Sequence, residues 1–381
     1  MAETQGPLTT LNNVLPSGLD ATRLAQWQLN SGRTYADVRS EVAGALNGLN
    51  QELLAAWGDM IYVTTEDYME YPDGGTVTDM PDLSELDSAD IYKGSTVGHM
   101  IDLKAKGRGI GGSWRFFRDA REAQILATIR DVLTSGRNTF EKAVLTRAMT
   151  DTANLLGSIG YDLPFCNASS GVTYTPPAVG GSTFASSHTH YVGVATGTGV
   201  DLGTVLNTLA GHLQEHGHPP PYNAKVAVAD VATYNGLGKF SKPISDRIIL
   251  VDRAGATTGS EFYERGTVET PQGSGAGYYI GSYVSSYGEI FLYATARIPT
   301  KWSLVYKSYG TNNAKNPIAV RVHPDQGFGF FINEVASDND KFPVAKIQIE
   351  IEYGVSCGMD RTAGAAGYLI SGGAWANPTI S

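Results

Sequence analysis

The sequence predicts an α+β fold. Three stretches carry that expectation: a very long helix-period segment at 118–156, an alternating strand at 345–355, and a glycine-rich middle in which short strands surround a second helix. The segment 118–156 has no proline and one glycine, Gly136. Ile125, Ile129, Val132, Leu133, Phe140, Val144 and Ala148 recur at helical steps and line one face. Arg118, Arg121, Glu122, Arg130, Asp131, Arg137, Glu141, Lys142 and Arg147 fill the other. Such a helix would run about 55–60 Å, too long for one compact core to enclose. A coiled coil is the weaker reading, because the steps do not hold a 3.5-residue repeat and Gly136 and Asn138 sit inside the helix. At 345–355, Ile347, Ile349, Ile351, Tyr353 and Val355 alternate with Lys346, Gln348, Glu350 and Glu352, the pattern of a half-buried strand.

In chain order, residues 1–33 are polar and irregular, with Pro7, Pro16, Gly18 and Gly32, and predict an extended arm. Residues 34–57 predict a helix. Thr34 caps it, Asp37 stands in capping-box position, and Val38, Val42, Leu46, Leu49 and Leu53 form its apolar face. Residues 58–113 predict two short strands around Pro72-Asp73-Gly74-Gly75, an acidic stretch from Asp79 to Asp90, and a strand running into glycines. This excursion is poor in apolar side chains, so it needs outside support, and a neighbouring subunit is the natural source. After the long helix, residues 158–200 are loop-rich and a second helix spans roughly 202–215. Strands are expected at 225–230, 247–252 and in the segments EIFLYATARI, KWSLVYKS, IAVRVH and GFGFFINEV. No internal repeat is present.

The 381 residues allow two or three structural regions and a sizeable core. Hydrophobic content of 42%, charged content of 17% and 45 glycines describe a folded chain rich in turn and strand. The net charge of −10 rules out a global basic field that would hold nucleic acid. Two cysteines, Cys166 and Cys357, point to a reducing compartment rather than a disulfide scaffold. No signal peptide is expected, since no basic segment followed by an apolar run opens the chain. No apolar run is long enough to predict a membrane span, and the sequon at Asn167 then carries no meaning.

Two motifs imitate chemistry. Gly107-Arg108-Gly109-Ile110-Gly111-Gly112 fits GxGxxG. A dinucleotide site needs a short crossover helix and then an acidic strand end about 20 residues on. The helix here runs far past that, so a flexible hinge is the expected reading. His212-Leu213-Gln214-Glu215-His216, with His218 nearby, imitates a zincin helix, but Leu213 stands where that motif has Glu. A helix C-terminus stopped by Pro219-Pro220-Pro221 is expected instead. His188-Thr189-His190 is weaker still as a metal motif. No G-x-S-x-G and no P-loop occurs, and no catalytic residue, cofactor or metal is expected.

The order of parts resembles the major capsid proteins of tailed bacteriophages, the Hong Kong 97-type shell fold. Trp114–Met149, WRFFRDAREAQILATIRDVLTSGRNTFEKAVLTRAM, looks like that family's spine helix leading out of its E-loop. Ile347–Leu369, with its DRTAG turn, looks like the last peripheral-domain strand. Residues 190–217 are similar to the start of the axial domain. The likeness of element order covers nearly the whole chain, and these short stretches carry it at the level of sequence.

The resemblance implies an N-terminal arm and helix at 1–57, an E-loop excursion at 58–117, a peripheral domain with spine helix at 118–200, an axial domain at 201–335, and a return to the peripheral domain with a tail at 336–381. It implies a structural protein, not an enzyme. The chain would self-associate into hexameric and pentameric capsomers of an icosahedral head in the virion, assembled in the host cytoplasm. DNA would be enclosed without sequence-specific binding, and no membrane would take part. A portal, a separate scaffolding protein and decoration proteins are the implied partners. Scaffolding would have to be separate because the body begins near residue 34, leaving no room for the scaffolding segment that some members carry. Tyr68, Tyr92, Lys93, Lys104, Lys106 and Arg108 are the candidate inter-subunit contacts. Some members cross-link an E-loop Lys to a neighbour's Asn; Lys93, Lys104 and Lys106 lie in that region, but no cross-linking site is matched. The alternatives are an encapsulin-like compartment and, from another class, a soluble metal-dependent enzyme using His212, His216 and His218.

Overall fold

The structure, a computed structural model, describes residues 34–74, 96–113, 119, 121–156, 159–167, 172, 174–237, 278–336 and 344–381. The expected arm, the acidic stretch with Tyr92 and Lys93, and the strand expected at 247–252 lie outside them. In order, the elements are α1 (Tyr35–Trp57), β1 (Ile61–Thr64), β2 (Tyr68–Pro72), β3 (Thr96–Met100), β4 (Lys104–Ser113), α2 (Glu122–Met149), β5 (Asn154–Leu156), β6 (Ile159–Tyr161), β7 (Tyr191–Ala195) and α3 (Leu202–Glu215). There follow β8 (Tyr222–Ala227), α4 (Val231–Asn235), β9 (Tyr278–Ser285), β10 (Gly288–Thr295), β11 (Trp302–Tyr306), β12 (Ile318–Val322), β13 (Phe331–Ala336), β14 (Val344–Cys357) and β15 (Gly364–Ile370). They divide into two units. One comprises Met1–Leu54, Leu103–Glu141 and Arg321–Gly354; the other comprises Ala55–Asp102, Lys142–Val320 and Val355–Ser381.

In the first unit α1 starts as its sequence dictates. Thr34 Oγ1 accepts from the Asp37 N–H at 3.2 Å, and the Asp37 carboxylate accepts from the Thr34 N–H at 2.8 Å. This is a capping box in which Asp replaces the usual Glu. Val38, Val42, Leu46, Leu49 and Leu53 are all buried. Farther along, the Asn50 amide accepts from Phe330 N at 2.8 Å and donates to Phe330 O at 3.1 Å, standing in for one rung of a strand ladder. Gly136 of α2 faces the same residue: a Cβ there would lie 2.8 Å from the Phe330 ring.

The helix α2 spans 28 residues, about 42 Å, and is shorter than the expected 118–156. It stops at Met149 because Arg147 folds back onto the carbonyls of Thr150 and Thr152, both at 2.7 Å, and of Asp162. The guanidinium satisfies acceptors that another helical turn would have used. Ile125, Ile129, Val132, Phe140, Val144 and Ala148 are buried as expected, with Leu133 half-buried. Glu141 and Arg147, expected on the wet face, are buried too.

Phe140 meets Phe328 and Tyr353 edge-on, at ring-centroid distances of 5.5 and 5.4 Å, and Tyr353 Oη donates to Thr139 O at 3.2 Å. The long helix therefore packs on the apolar face of β14, where Ile349, Ile351 and Tyr353 are buried. Strand β14 pairs antiparallel with β13, from Phe331↔Glu350 to Ala336↔Ala345. It also pairs antiparallel with β4, from Lys104↔Tyr353 to Ser113↔Val344. This corrects two expectations. The GxGxxG run is neither hinge nor phosphate loop, since Gly107, Gly109, Gly111 and Gly112 stand in strand register with Glu350, Gln348, Lys346 and Ala345. And β4 rests on its own chain. A Cβ at residue 107 would stand 2.9 Å from Glu350 Cγ, so the missing side chain lets the two strands lie together.

The second unit holds a six-stranded sheet in the order β7-β15-β11-β8-β10-β9. β7 and β15 run parallel, as do β8 and β10; the other neighbours are antiparallel. α3 lies on this sheet and buries Leu202, Val205, Leu206, Leu209 and Leu213 against Tyr222, Val226, Ile290, Leu292 and Val305. Asp201 caps the helix by accepting from Thr204 N at 2.9 Å, and Thr204 Oγ1 accepts in return from Asp201 N at 3.3 Å. A four-stranded sheet runs β2-β3-β6-β5. Residues 58–74 and 96–102 are less dependent on a neighbour than their polarity implied. β1 is buried throughout, and Met69, Tyr71, His99 and Ile101 are buried as well.

The DRTAG turn anchors part of this unit. Arg361 is fully buried; its guanidinium donates to Pro164 O at 3.1 Å, Phe165 O at 3.3 Å and Tyr71 Oη at 3.3 Å, and lies 4.9 Å from the Tyr174 ring centre. Asp360 Oδ1 accepts from Thr362 N and Oγ1 at 3.0 and 2.6 Å, closing the turn. Cys166 and Cys357 are free and buried. Among the described residues no helix is long and apolar enough to cross a membrane.

Candidate functional site

Two groups of side chains are open to a functional role: exposed residues on β2, β3 and β4, and a histidine cluster at the end of α3. Tyr68 is 48% exposed and stands directly opposite Met100, 41% exposed, across the β2–β3 pair. Opposed residues share a sheet face, so the two form one apolar patch. Lys104, Lys106 and Arg108 alternate along β4 and are exposed. Their register partners are Tyr353, Ile351 and Ile349, so they lie on the face of the sheet that carries the buried residues of β14. Lys106 donates to Tyr353 Oη at 3.0 Å and sits 4.9 Å from that ring's centre, an engagement within its own chain. Tyr92 and Lys93 lie outside the described residues.

The second group is built by the meeting of α3, β7 and β15. His212 and Glu215 share one side of the last turn of α3, where residues three apart are neighbours; His212 Nδ1 lies 2.8 Å from Glu215 Oε1. His190 directly precedes β7. Its backbone N–H donates to Cys166 O at 2.8 Å, and its carbonyl accepts from Ala366 N at 2.9 Å. That places the fully buried ring beneath the helix end, with Nδ1 2.8 Å from Gly364 O. His188 Nε2 is 3.2 Å from Glu215 Oε1 and 3.0 Å from His216 Nε2. Phe184 covers His216 at a ring-centroid distance of 4.1 Å.

Burial drives the electrostatics. It holds the His190 imidazolium well below its ordinary range, helped by His212, His216 and His188. Burial and His188 bring His216 down to about 3. His188 is lowered by burial, against the pull of Glu215. These rings are neutral at physiological pH, each with a lone pair available to a hydrogen-bond donor or a metal. His218, grouped with His212 and His216 by the sequence, is elsewhere. Its Nδ1 meets Tyr309 Oη at 2.7 Å and its Nε2 meets Thr362 Oγ1 at 2.9 Å. His188 and His190, the weaker motif, prove to be the partners of His212. Only the packing of β7 and β15 under α3 joins the two short motifs.

No family model matches the chain, and no curated protein matches its sequence. Solved structures do. A chain from Mycobacterium phage Patience is 20% identical, aligned over 91% of this chain and 91% of its own length with a TM-score of 0.60. A capsid structure of the cyanophage P-SCSP1u is 10% identical over 81% of this chain and 86% of its own, at a TM-score of 0.42. A capsid chain of an empty GTA particle is 12% identical over 83% and 90%, at 0.44. Together with the long helix on the long strand, the Patience likeness defines the class: an α+β chain with the Hong Kong 97-type shell fold. The Patience phage chain shares this fold over 91% of both chains.

Proposed function

We propose that the chain is a structural major capsid protein, assembling in many copies into the icosahedral head of a tailed bacteriophage. The observation that carries this reading is the end-to-end fold likeness to a phage structure, over 91% of both chains. The exposed Tyr68–Met100 patch supports it, since paired apolar side chains left in water favour burial by a neighbour. In this reading the chain performs no catalysis, its partners are its own copies in pentamers and hexamers, and a portal, a separate scaffolding protein and decoration proteins complete the head. The division into arm, E-loop, peripheral and axial domains belongs to the same proposal. The shell encloses DNA without sequence-specific contacts, and the net charge of −10 keeps it from adhering to what it encloses. Assembly takes place in the host cytoplasm.

Negative-stain electron microscopy of the expressed chain, with its scaffolding protein where one is encoded nearby, tests the proposal. Closed shells or capsomer rings are the expected outcome. A chain that stays monomeric with every candidate scaffold would overturn it. Particles that recruit a host enzyme through a peptide, instead of a portal, would identify an encapsulin-like compartment.

A further inference from the structure

The shell reading leaves the histidine cluster without a role, and the cluster's geometry is specific. His188, His190, His212 and Glu215 present one donor atom each, all within 4.8 Å of one another. We propose that these four residues bind one divalent transition-metal ion of the zinc class as a structural clip, fastening the segment before β7 to the last turn of α3.

The orientation of His190 is the strongest support. Its Nδ1 faces the Gly364 carbonyl and so carries the proton, donating to that oxygen. Nε2 is therefore an unprotonated lone pair. It is buried in a fully enclosed ring and has no hydrogen-bond partner among the described residues. A buried acceptor without a partner is costly. A backbone carbonyl fixing one ring nitrogen while the other points at a cation is the usual outer shell of a metal-binding histidine. His216 Nδ1 is a second buried nitrogen without a partner beside it.

The donor set selects the metal. Three imidazoles and one carboxylate suit zinc or cobalt, whereas calcium and magnesium call for more oxygen ligands. Zn–N bonds of about 2.0–2.1 Å put tetrahedral donors roughly 3.4 Å apart. The separations of 2.8 and 3.2 Å from Glu215 Oε1 already approach that edge. The wider edges close by small side-chain rotations. His188 exchanges its contact with His216 for the metal in doing so. His188 and His212 are partly open to solvent, at 17% and 22% side-chain exposure, which leaves a path for the ion. Four protein donors fill a tetrahedral shell and leave no open position, so the ion staples rather than catalyses.

The full-length chain, stripped with a chelator and titrated with Zn²⁺ alone, provides the test. One zinc per chain after gel filtration is expected, with a raised melting temperature. Co²⁺ in its place should give the visible bands of a tetrahedral nitrogen–oxygen site. The partly exposed positions allow substitution without loss of the core. His212→Ala and Glu215→Ala should each weaken binding more than about a hundredfold, beyond the cost of losing an outer partner. His323→Ala should bind like the parent. A folded parent chain that retains neither zinc nor cobalt overturns the proposal. So does a His188→Ala/His212→Ala chain that holds metal as tightly as the parent.

Discussion

Phe140 has no exposed surface and is held edge-on by Phe328 and Tyr353, both on other segments of the same unit. Phe140→Ala should cost about 3–5 kcal/mol, because three anchored segments cannot close the cavity; a urea midpoint shift at constant m-value would show it. Arg137→Ala is the contrast. Its guanidinium pairs with Glu52, a carboxylate 55% exposed, and the loss should stay below about 1 kcal/mol. Arg361→Leu keeps the bulk but strips donors from the Pro164 and Phe165 carbonyls, and should cost about 2 kcal/mol or more. His99 carries a pH signature. Burial and the nearby Arg361 hold it down to about 3. The folded chain thus binds fewer protons there than the unfolded one, whose histidine titrates near 6.5. Its contribution is whole above about pH 6.5 and is lost as the pH falls toward 3. His99→Gln should flatten the acid limb of a stability–pH curve, and an unchanged limb would place the acid sensitivity elsewhere. Phe140 was legible in the sequence because helical spacing announces an apolar face. Arg147 and Arg361 were not, since the carbonyls that make their burial tolerable come from Asp162, Pro164 and Phe165, which no local pattern connects to them.

At the scale of elements, α1, α3 and β14 follow from their patterns almost residue for residue, because capping and periodicity are local. In the sequence Gly136 marks only a flaw in a coiled coil; its reason is the Phe330 ring, far along the chain. Gly136→Ala sets two magnitudes against each other. Helix propensity gains about 1 kcal/mol, while forcing a buried ring aside costs about 1–3. The Asn50 amide grips both backbone groups of Phe330, so the ring cannot retreat with its backbone, and the variant should be less stable by thermal melting. The excursion was half legible. Its polarity predicted external support, yet β1 is buried and β4 is laddered to β14, a strand distant in sequence. Amide exchange should therefore be slow in β1 and β4 in free and assembled subunits alike. Protection gained on assembly should concentrate in β2 and β3, and equal protection of these two in both states would count against their role at an interface.

For the whole molecule, the polar, irregular sequence of 1–33 predicts an arm that adds nothing to the core. Its deletion should leave circular dichroism of the body unchanged while reducing particle yield in micrographs. An unfolded truncation would show the arm to be a core element. In the proposed shell, packaged DNA would push outward on every subunit, and the pairing of β4 with β14 has a mechanical direction. Tension along the two strands loads all ten registered pairs together, whereas a pull across one end loads a single rung and then the next. At the Lys104 end a peel meets Lys106 latched onto Tyr353 by hydrogen bond and ring contact. Toward the Ser113 end, Gly109, Gly111 and Gly112 supply no side chains to interlock. The same seam is thus stiff in shear and brittle to peeling, and it would tear from the glycine end first.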